Sequence, residues 1–293
     1  MTTVMKPDSP QTQFMIPDSE TNAVFFSDLL PRRHPELSAD LLRILKDARV
    51  KTGLVPGTRD IWCRDYMPVQ VGPGRFVQFT YRPDYLVGKY EHLITPPEVA
   101  EGLPCIKECV RSDIVLDGGN VVRWTDRAIL TDKVYRENPR CAPERLGRRL
   151  RERLEVEKII VIPREPYDGI GHADGVVRFI DGRTVLVNDY AAMPAYRKRL
   201  HAALRRAGLE WQEIPYRPAE DQTDGIPSAV GNYINFLQVG RTILMPVYGQ
   251  KEDEAAARCL ERAFPAGRVI PLPCGQLARE GGILNCVSWT IKA

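Results

Sequence analysis

The sequence predicts a mixed α/β fold built from a strand-strand-helix-strand unit of about fifty residues, repeated five times and closed into one domain with pseudo-fivefold symmetry. Three observations carry that expectation. A hairpin-like segment, VVRWTDRAILTD at Val121 to Asp132, returns as VVRFIDGRTVLVND at Val176 to Asp189. Helical patterns fall between successive copies of the hairpin. A polar or reactive residue precedes or opens each unit: Asp65, Asp117, Asp174, Asn235 and Cys286 follow one another at steps of 52, 57, 61 and 51 residues.

Taken along the chain, each element has a local reason. PELSADLLRILKDARV places Leu41, Leu42 and Leu45 on one helical face. DYMPVQVGPGRFVQFTY is a hairpin copy with Gly-Pro-Gly at its turn. Pro96 to Val110 is the least regular stretch, and Cys105 and Cys109, four apart, suit one face of a helix. The hairpin from Val121 is followed by PERLGRRLRERLEV, where Leu146, Leu150 and Leu154 recur at helical spacing. The arginines between Arg140 and Arg153 read as the solvated face of that helix. After the hairpin from Val176, PAYRKRLHAALRRAG carries Tyr196, Leu200 and Leu204, with Gly208 as its stop signal. INFLQVGRTILMP is a weaker hairpin copy, and EDEAAARCLERAFP carries Ala256, Leu260 and Ala263 before Pro265. The chain ends on GGILNC and seven further residues.

The totals bound the function. A chain of 293 residues with 43% hydrophobic residues can fill a sizeable core. A net charge of +3 argues against nucleic acid or an anionic membrane as the main partner. Seven cysteines without paired Cys-x-x-Cys motifs suggest reduced thiols and no metal site. The first twenty residues lack the pattern of a secretion signal and read as a flexible segment, so the expected location is the cytoplasm. Self-association into a homo-oligomer is compatible with the sequence.

The residues at corresponding points of the repeats form a coherent chemical set. Each has a plainer reading: Asp65 as a surface ion pair with Arg64, His172 as a structural histidine, Asp174 as a turn residue before Gly175, Cys286 as core packing. Repeat register favours a shared site, because equivalent positions converge near the axis of a closed repeat. His172 and Asp174, two apart in an extended strand, would face one cavity. Two carboxylates suit a guanidinium bidentately. A thiolate over its central carbon would be stabilised by the same positive charge. The combination predicts substitution at a guanidine or amidine carbon, with a bell-shaped pH dependence set by Cys286 and His172. Cys63, two residues before Asp65, reads as a packing residue, with a second reactive thiol as the alternative.

The motifs IWCRDYMPV, LDGGNVV, GHADGVVRF, SAVGNYINF and GGILNC, in that order from about Val24 to Cys286, resemble the agmatine deiminase and bacterial peptidylarginine deiminase family. The resemblance implies the pentein fold, a five-bladed α/β propeller, which agrees with the repeat. It implies that Cys286 is the nucleophile, that Asp65 and Asp174 clamp the guanidinium, and that His172 is the general acid and base. Asn235 matches an asparagine near the site, with a strand-edge hydrogen bonder as the alternative. Asp117 and Asn120 match a turn beside the pocket in a supporting role. No metal or organic cofactor is implied, and the substrate is a small guanidino compound: agmatine-like, arginine or an arginyl peptide.

The chain carries FFSDLLPRRHP and FTYRPDYLVGKY where agmatine-specific members carry a Trp-containing motif and an Ala-Trp-Gly segment. Arg82 in the second segment is a candidate for holding a substrate carboxylate, as arginines do in the peptidylarginine branch. A solvated arginine is the alternative. Two rival functions follow from the same residues: an amidinotransferase passing the intermediate to an amine, and a non-catalytic binder that sequesters guanidinium compounds.

Overall fold

Five three-stranded sheets are present among the described residues, and all share one connectivity: an antiparallel hairpin whose second strand pairs in parallel with a third. The structure is a computed structural model that describes residues 15–218, 222–223 and 226–293. The second blade comprises Val69–Gly72, Arg75–Thr80 and Glu108–Val115. The third comprises Val122–Arg123, Arg127–Thr131 and Lys158–Ile162. The fourth is Val177–Phe179, Thr184–Asn188 and Glu210–Ile214. The fifth is Leu237–Val239, Thr242–Val247 and Arg268–Pro273.

The first blade is assembled from both ends of the chain. Ala23–Ser27 pairs in parallel with Lys51–Val55 and antiparallel with Ser288–Ile291. The hairpin that the other blades make locally is here split between the termini, and this pairing closes the ring. It also places the loop before Ser288, and so Cys286, at the seam.

Four blades cross to their third strand through a helix: Pro35–Asp47, Pro143–Leu154, Pro194–Ala207 and Glu252–Ala263. Three of them begin on proline, whose fixed φ and missing N–H fit the first helical position. Gly208 ends the third of these helices at φ 76°, a left-handed conformation that glycine adopts without strain. Leu146, Leu150 and Leu154 are buried as the periodicity predicts, each contributing about 2 kcal/mol by leaving water. The apolar side chains gather into five clusters, one between each pair of neighbouring blades.

The second blade departs from the expected repeat. Its crossover, residues 81–107, contains only the short 3-10 turns Glu91–Leu93 and Pro97–Ala100. Pro83, Pro96, Pro97 and Pro104, with Gly88 and Gly102, interrupt any longer helix. Cys109 accordingly lies on a strand and Cys105 in a turn, not on a common helical face. The excursion instead packs Leu86 and Ala100 against the first two blades.

Residues 1–14 of the expected flexible segment lie outside the described residues. Its remainder is fixed. Met15 and Ile16 are buried, and Asp18 accepts hydrogen bonds from Arg123 at 3.0 Å and Arg178 at 2.5 Å. These arginines are the third residues of the repeated Val-Val-Arg motifs, and a buried guanidinium needs such a partner. Burial opposes ionisation of Asp18, yet Arg178 and Arg123 hold its pKa at about 2.

Candidate active site

Asp65, His172, Asp174, Asn235 and Cys286 line one cavity of about 1030 Å³. They come from the turns leading into four of the blades, with His172 and Asp174 on one turn. Asp65 sits on the helical turn Cys63–Tyr66 ahead of the second blade. His172 is extended, but Asp174 belongs to a 3-10 turn, Ala173–Gly175, instead of the strand that the sequence suggested. The two side chains still reach the same cavity, through a turn and not through strand alternation.

Cys286 lies on the loop that leads into the closing strand. Its Sγ is 3.3 Å from Asn235 Oδ1 and 4.0 Å from Asp174 Oδ2, and its N–H donates to the same Asn235 oxygen at 3.4 Å. Asn235 therefore orients the thiol. The glycines before it are explained by crowding and backbone: Gly281 has φ +93°, and a Cβ on Gly282 would lie 2.4 Å from the Trp62 ring. Burial, followed by the charges of Asp174 and Asp65, pushes the Cys286 thiol well above its usual range.

The carboxylates have opposite surroundings. Asp65 Oδ1 accepts from the Gly119 N–H at 3.0 Å, and burial pushes its pKa up to about 7 against the opposing charge of His172. Asp174 Oδ2 accepts from Asn285 at 2.6 Å, while its Oδ1 is buried with no hydrogen-bond partner among the described residues. An orphaned carboxylate oxygen at a cavity wall is costly unless a ligand donor meets it.

His172 is held from behind. Its Nε2 is 2.7 Å from Asp117 Oδ2 and its Nδ1 is 3.5 Å from Asp65 Oδ1. Burial favours the neutral ring, but the Asp65 charge and then the hydrogen bond and charge of Asp117 win, and the pKa is raised to about 9. Asp117 is not on the cavity wall. It reaches the site through its contact with His172, a closer connection than a turn beside the pocket. Asn120 Oδ1 accepts from the N–H groups of Thr131 at 2.9 Å and Ala173 at 3.2 Å, tying the loop after His172 to the third blade. Gly119 admits this convergence, since a Cβ there would lie 2.6 Å from both Asp65 Oδ1 and His172 Nδ1.

One expectation changes and one stands. Arg82 is 63% exposed, 3.6 Å from Glu91, and absent from the cavity wall. Along this segment Tyr81 and Leu86 are buried and Tyr85 faces the cavity, which leaves Arg82 and Asp84 toward solvent. Cys63 is fully buried among Val55, Tyr66 and Met67, and burial pushes its thiol up to about 12, so it is a packing residue.

Sequence reasoning missed Glu165. It lines the cavity, is 6% exposed, and accepts from Tyr216 at 2.7 Å and Tyr190 at 2.8 Å, with no basic partner among the described residues. Burial raises its pKa to about 7 against those two hydroxyls. No sequence signal marks it, because its partners come from other parts of the fourth blade. Among the described residues no group of His, Cys, Asp and Glu is arranged to hold a metal ion, and no helix is long and apolar enough to cross a membrane.

A family model described as Porphyromonas-type peptidyl-arginine deiminase matches residues 34–291. The agmatine deiminase of Ectopseudomonas mendocina (strain ymp) is 27% identical over 273 residues, covering 79% of this chain and 74% of that protein. The structure of an agmatine deiminase from C. jejuni superposes with a TM-score of 0.77 at 19% identity, covering 96% of each chain. That of a Porphyromonas gingivalis protein described as a putative arginine deiminase gives 0.74 at 20% identity, covering 95% of this chain and 98% of the other. These likenesses establish the fold as that of the penteins.

Proposed function

Because the chain belongs to the Porphyromonas-type peptidyl-arginine deiminase family, we propose that it hydrolyses the guanidino group of a small substrate to a ureido group and ammonia. The observation that carries this reading is the convergence of the Cys286 thiol, the His172 imidazolium and the Asp65 and Asp174 carboxylates on one cavity. Asp65 and Asp174 accept the guanidinium N–H groups, the free Oδ1 of Asp174 among them. The entering cation offsets the two charges that hold the Cys286 proton, so the thiol ionises as substrate binds.

The thiolate attacks the guanidinium carbon and a C–S bond forms. His172 gives its proton to a terminal nitrogen, the C–N bond breaks and ammonia leaves, which generates a thiouronium cation. The imidazole then takes a proton from water, hydroxide adds to the same carbon, and the C–S bond breaks to release the urea as the hydroxyl proton passes to the departing sulfur, restoring the Cys286 thiol. The test is ammonia and ureido-product release from agmatine, free arginine, N-blocked arginine and arginyl peptides, with no amine acceptor added. Guanidinium binding without turnover of any of them would reduce the site to a binder, and turnover only with an added amine would make it a transferase.

Glu165 favours an agmatine-like substrate within that class. Asn188 donates to the Gly175 carbonyl at 2.8 Å and to Tyr190 Oη at 3.3 Å, and Tyr190 donates to Glu165, so this carboxylate stands on the same wall as Asp174. A second cation on the substrate would meet it, whereas the carboxylate of free arginine would be repelled. Glu165→Gln is expected to raise KM for agmatine about tenfold with kcat little changed, and to leave KM for butylguanidine unaltered. Equal effects on both compounds would remove Glu165 from substrate selection.

The pH profile follows from the site. Asp65, in place of the Cys286 thiol expected from the sequence, sets the acid limb: it must be ionised to accept guanidinium donors, so kcat/KM falls as pH drops through about 7. His172 must carry its proton to release ammonia, so kcat/KM falls again as pH rises through about 9. The limbs belong to the coupled set. A flat profile from pH 6 to 10 would contradict both assignments.

A further inference from the structure

Lys133 is a buried cation that the reaction described above does not use. Its side chain is fully buried, and its Nζ is 2.5 Å from Asp117 Oδ2, the oxygen that also meets His172 Nε2. Its other neighbours are Glu137 Oε1 at 2.5 Å, Asp84 Oδ1 at 3.9 Å and the Tyr85 ring at 5.1 Å. Tyr85 in turn stands 6.1 Å from the His172 ring. The lysine follows the third blade's second strand, where Thr131 Oγ1 donates at 2.6 Å to the carbonyl of Gly171, the residue before His172. Lysine, helix turn and histidine are thus one packed unit.

Orientation of His172 alone would need only Asp117. Burying an ammonium beside it carries a desolvation cost that a neutral residue would avoid. The charges facing His172 explain what the ammonium adds. Asp65 and Asp117 both hold a proton on the ring, Asp168, Glu137 and Asp174 add negative charge around it, and Lys133 opposes them. A histidine flanked by carboxylates without that opposition would keep its proton when it must yield it to ammonia, and would stay protonated when it must accept one from water.

We infer that Lys133 is a positioning residue of the proton relay, its ammonium sharing Asp117 Oδ2 with His172 and setting how readily that pair releases a proton. The inference rests on His172 moving protons, as the proposed reaction requires, but the titration of His172 can be read without turnover.

The experiment compares wild type with Lys133→Met, Lys133→Arg and the pair Lys133→Met/Glu137→Gln, which removes one cation and one carboxylate together and so limits unpaired buried charge. His172 is titrated by NMR of the imidazole, and pH profiles of ammonia release from agmatine are recorded alongside. Removing the ammonium is expected to move the His172 titration and the alkaline limb upward by about one pH unit, with Lys133→Arg restoring both toward wild type. In the double variant the shift is smaller and of the same sign. A His172 titration unchanged in the folded variants, with kcat lowered equally at every pH, would overturn the inference and leave Lys133 a structural ion. Absence of turnover in wild type would count against the proposed reaction alone, since the NMR titration still decides the role of Lys133.

Discussion

Cys286→Ala is expected to abolish ammonia release from any guanidino substrate the wild type accepts, lowering kcat at least about 10⁴-fold. Binding should persist, with Kd for the same substrate changed by no more than about threefold. The reason is a division of labour within the cavity. In the proposed reaction positive charge is held by Asp65 and Asp174, both of which remain, whereas the reacting carbon is approached by the Cys286 sulfur, which lies 3.3 Å from Asn235 Oδ1. Isothermal titration with the variant and rapid quenching of the wild type separate the two contributions. In the quenched wild type, the peptide bearing Cys286 should gain the mass of substrate less ammonia. Residual turnover within tenfold of wild type, or a covalent adduct on another cysteine, would remove Cys286 as the nucleophile. Cys63 provides a built-in control, because its thiol is sealed in an apolar cluster and should stay unmodified.

Asp174→Asn is expected to act in two opposite directions. Turnover should collapse, with kcat/KM falling about 10³-fold, because one half of a buried charge pair with the guanidinium is lost. The thiol should become easier to ionise in the free protein. After burial, the Asp174 carboxylate is the first cause that holds the Cys286 proton, and an amide lacks its charge. Alkylation of Cys286 by iodoacetamide at neutral pH should therefore quicken, by about tenfold for each pH unit that the thiol's pKa falls. A variant that merely unfolds the loop would lose the activity and also expose Cys63 and Cys274 to the reagent, both of which are buried. Slower alkylation of Cys286 in a folded Asp174→Asn protein would contradict the electrostatic account of this thiol.

Local pattern decided the elements of this protein. The spacing of Leu146, Leu150 and Leu154 and of Tyr196, Leu200 and Leu204 marks helices because a 3.6-residue period is all that a buried stripe requires. The returning Val-Val-Arg hairpins and the near-equal steps from Asp65 to Cys286 brought into view four residues of the cavity wall and Asp117 behind His172, since equivalent points of a closed repeat converge. What the sequence could not give is the partner of each buried charge. Asp117 lies 55 residues from His172, Arg178 lies 160 from Asp18, and Glu165 lies 51 from Tyr216, and each pair is made only when distant segments pack together. In sequence a buried charge looks like a solvated one, so Lys133 and Glu165 carried no mark and Arg82 carried a false one. The proline-broken crossover of residues 81–107 shows the same limit, because its path is set by the apolar faces of the first two blades. Periodicity is a property of one segment, whereas the charges that tune His172 and Cys286 come from segments that only the tertiary fold brings within a few ångströms.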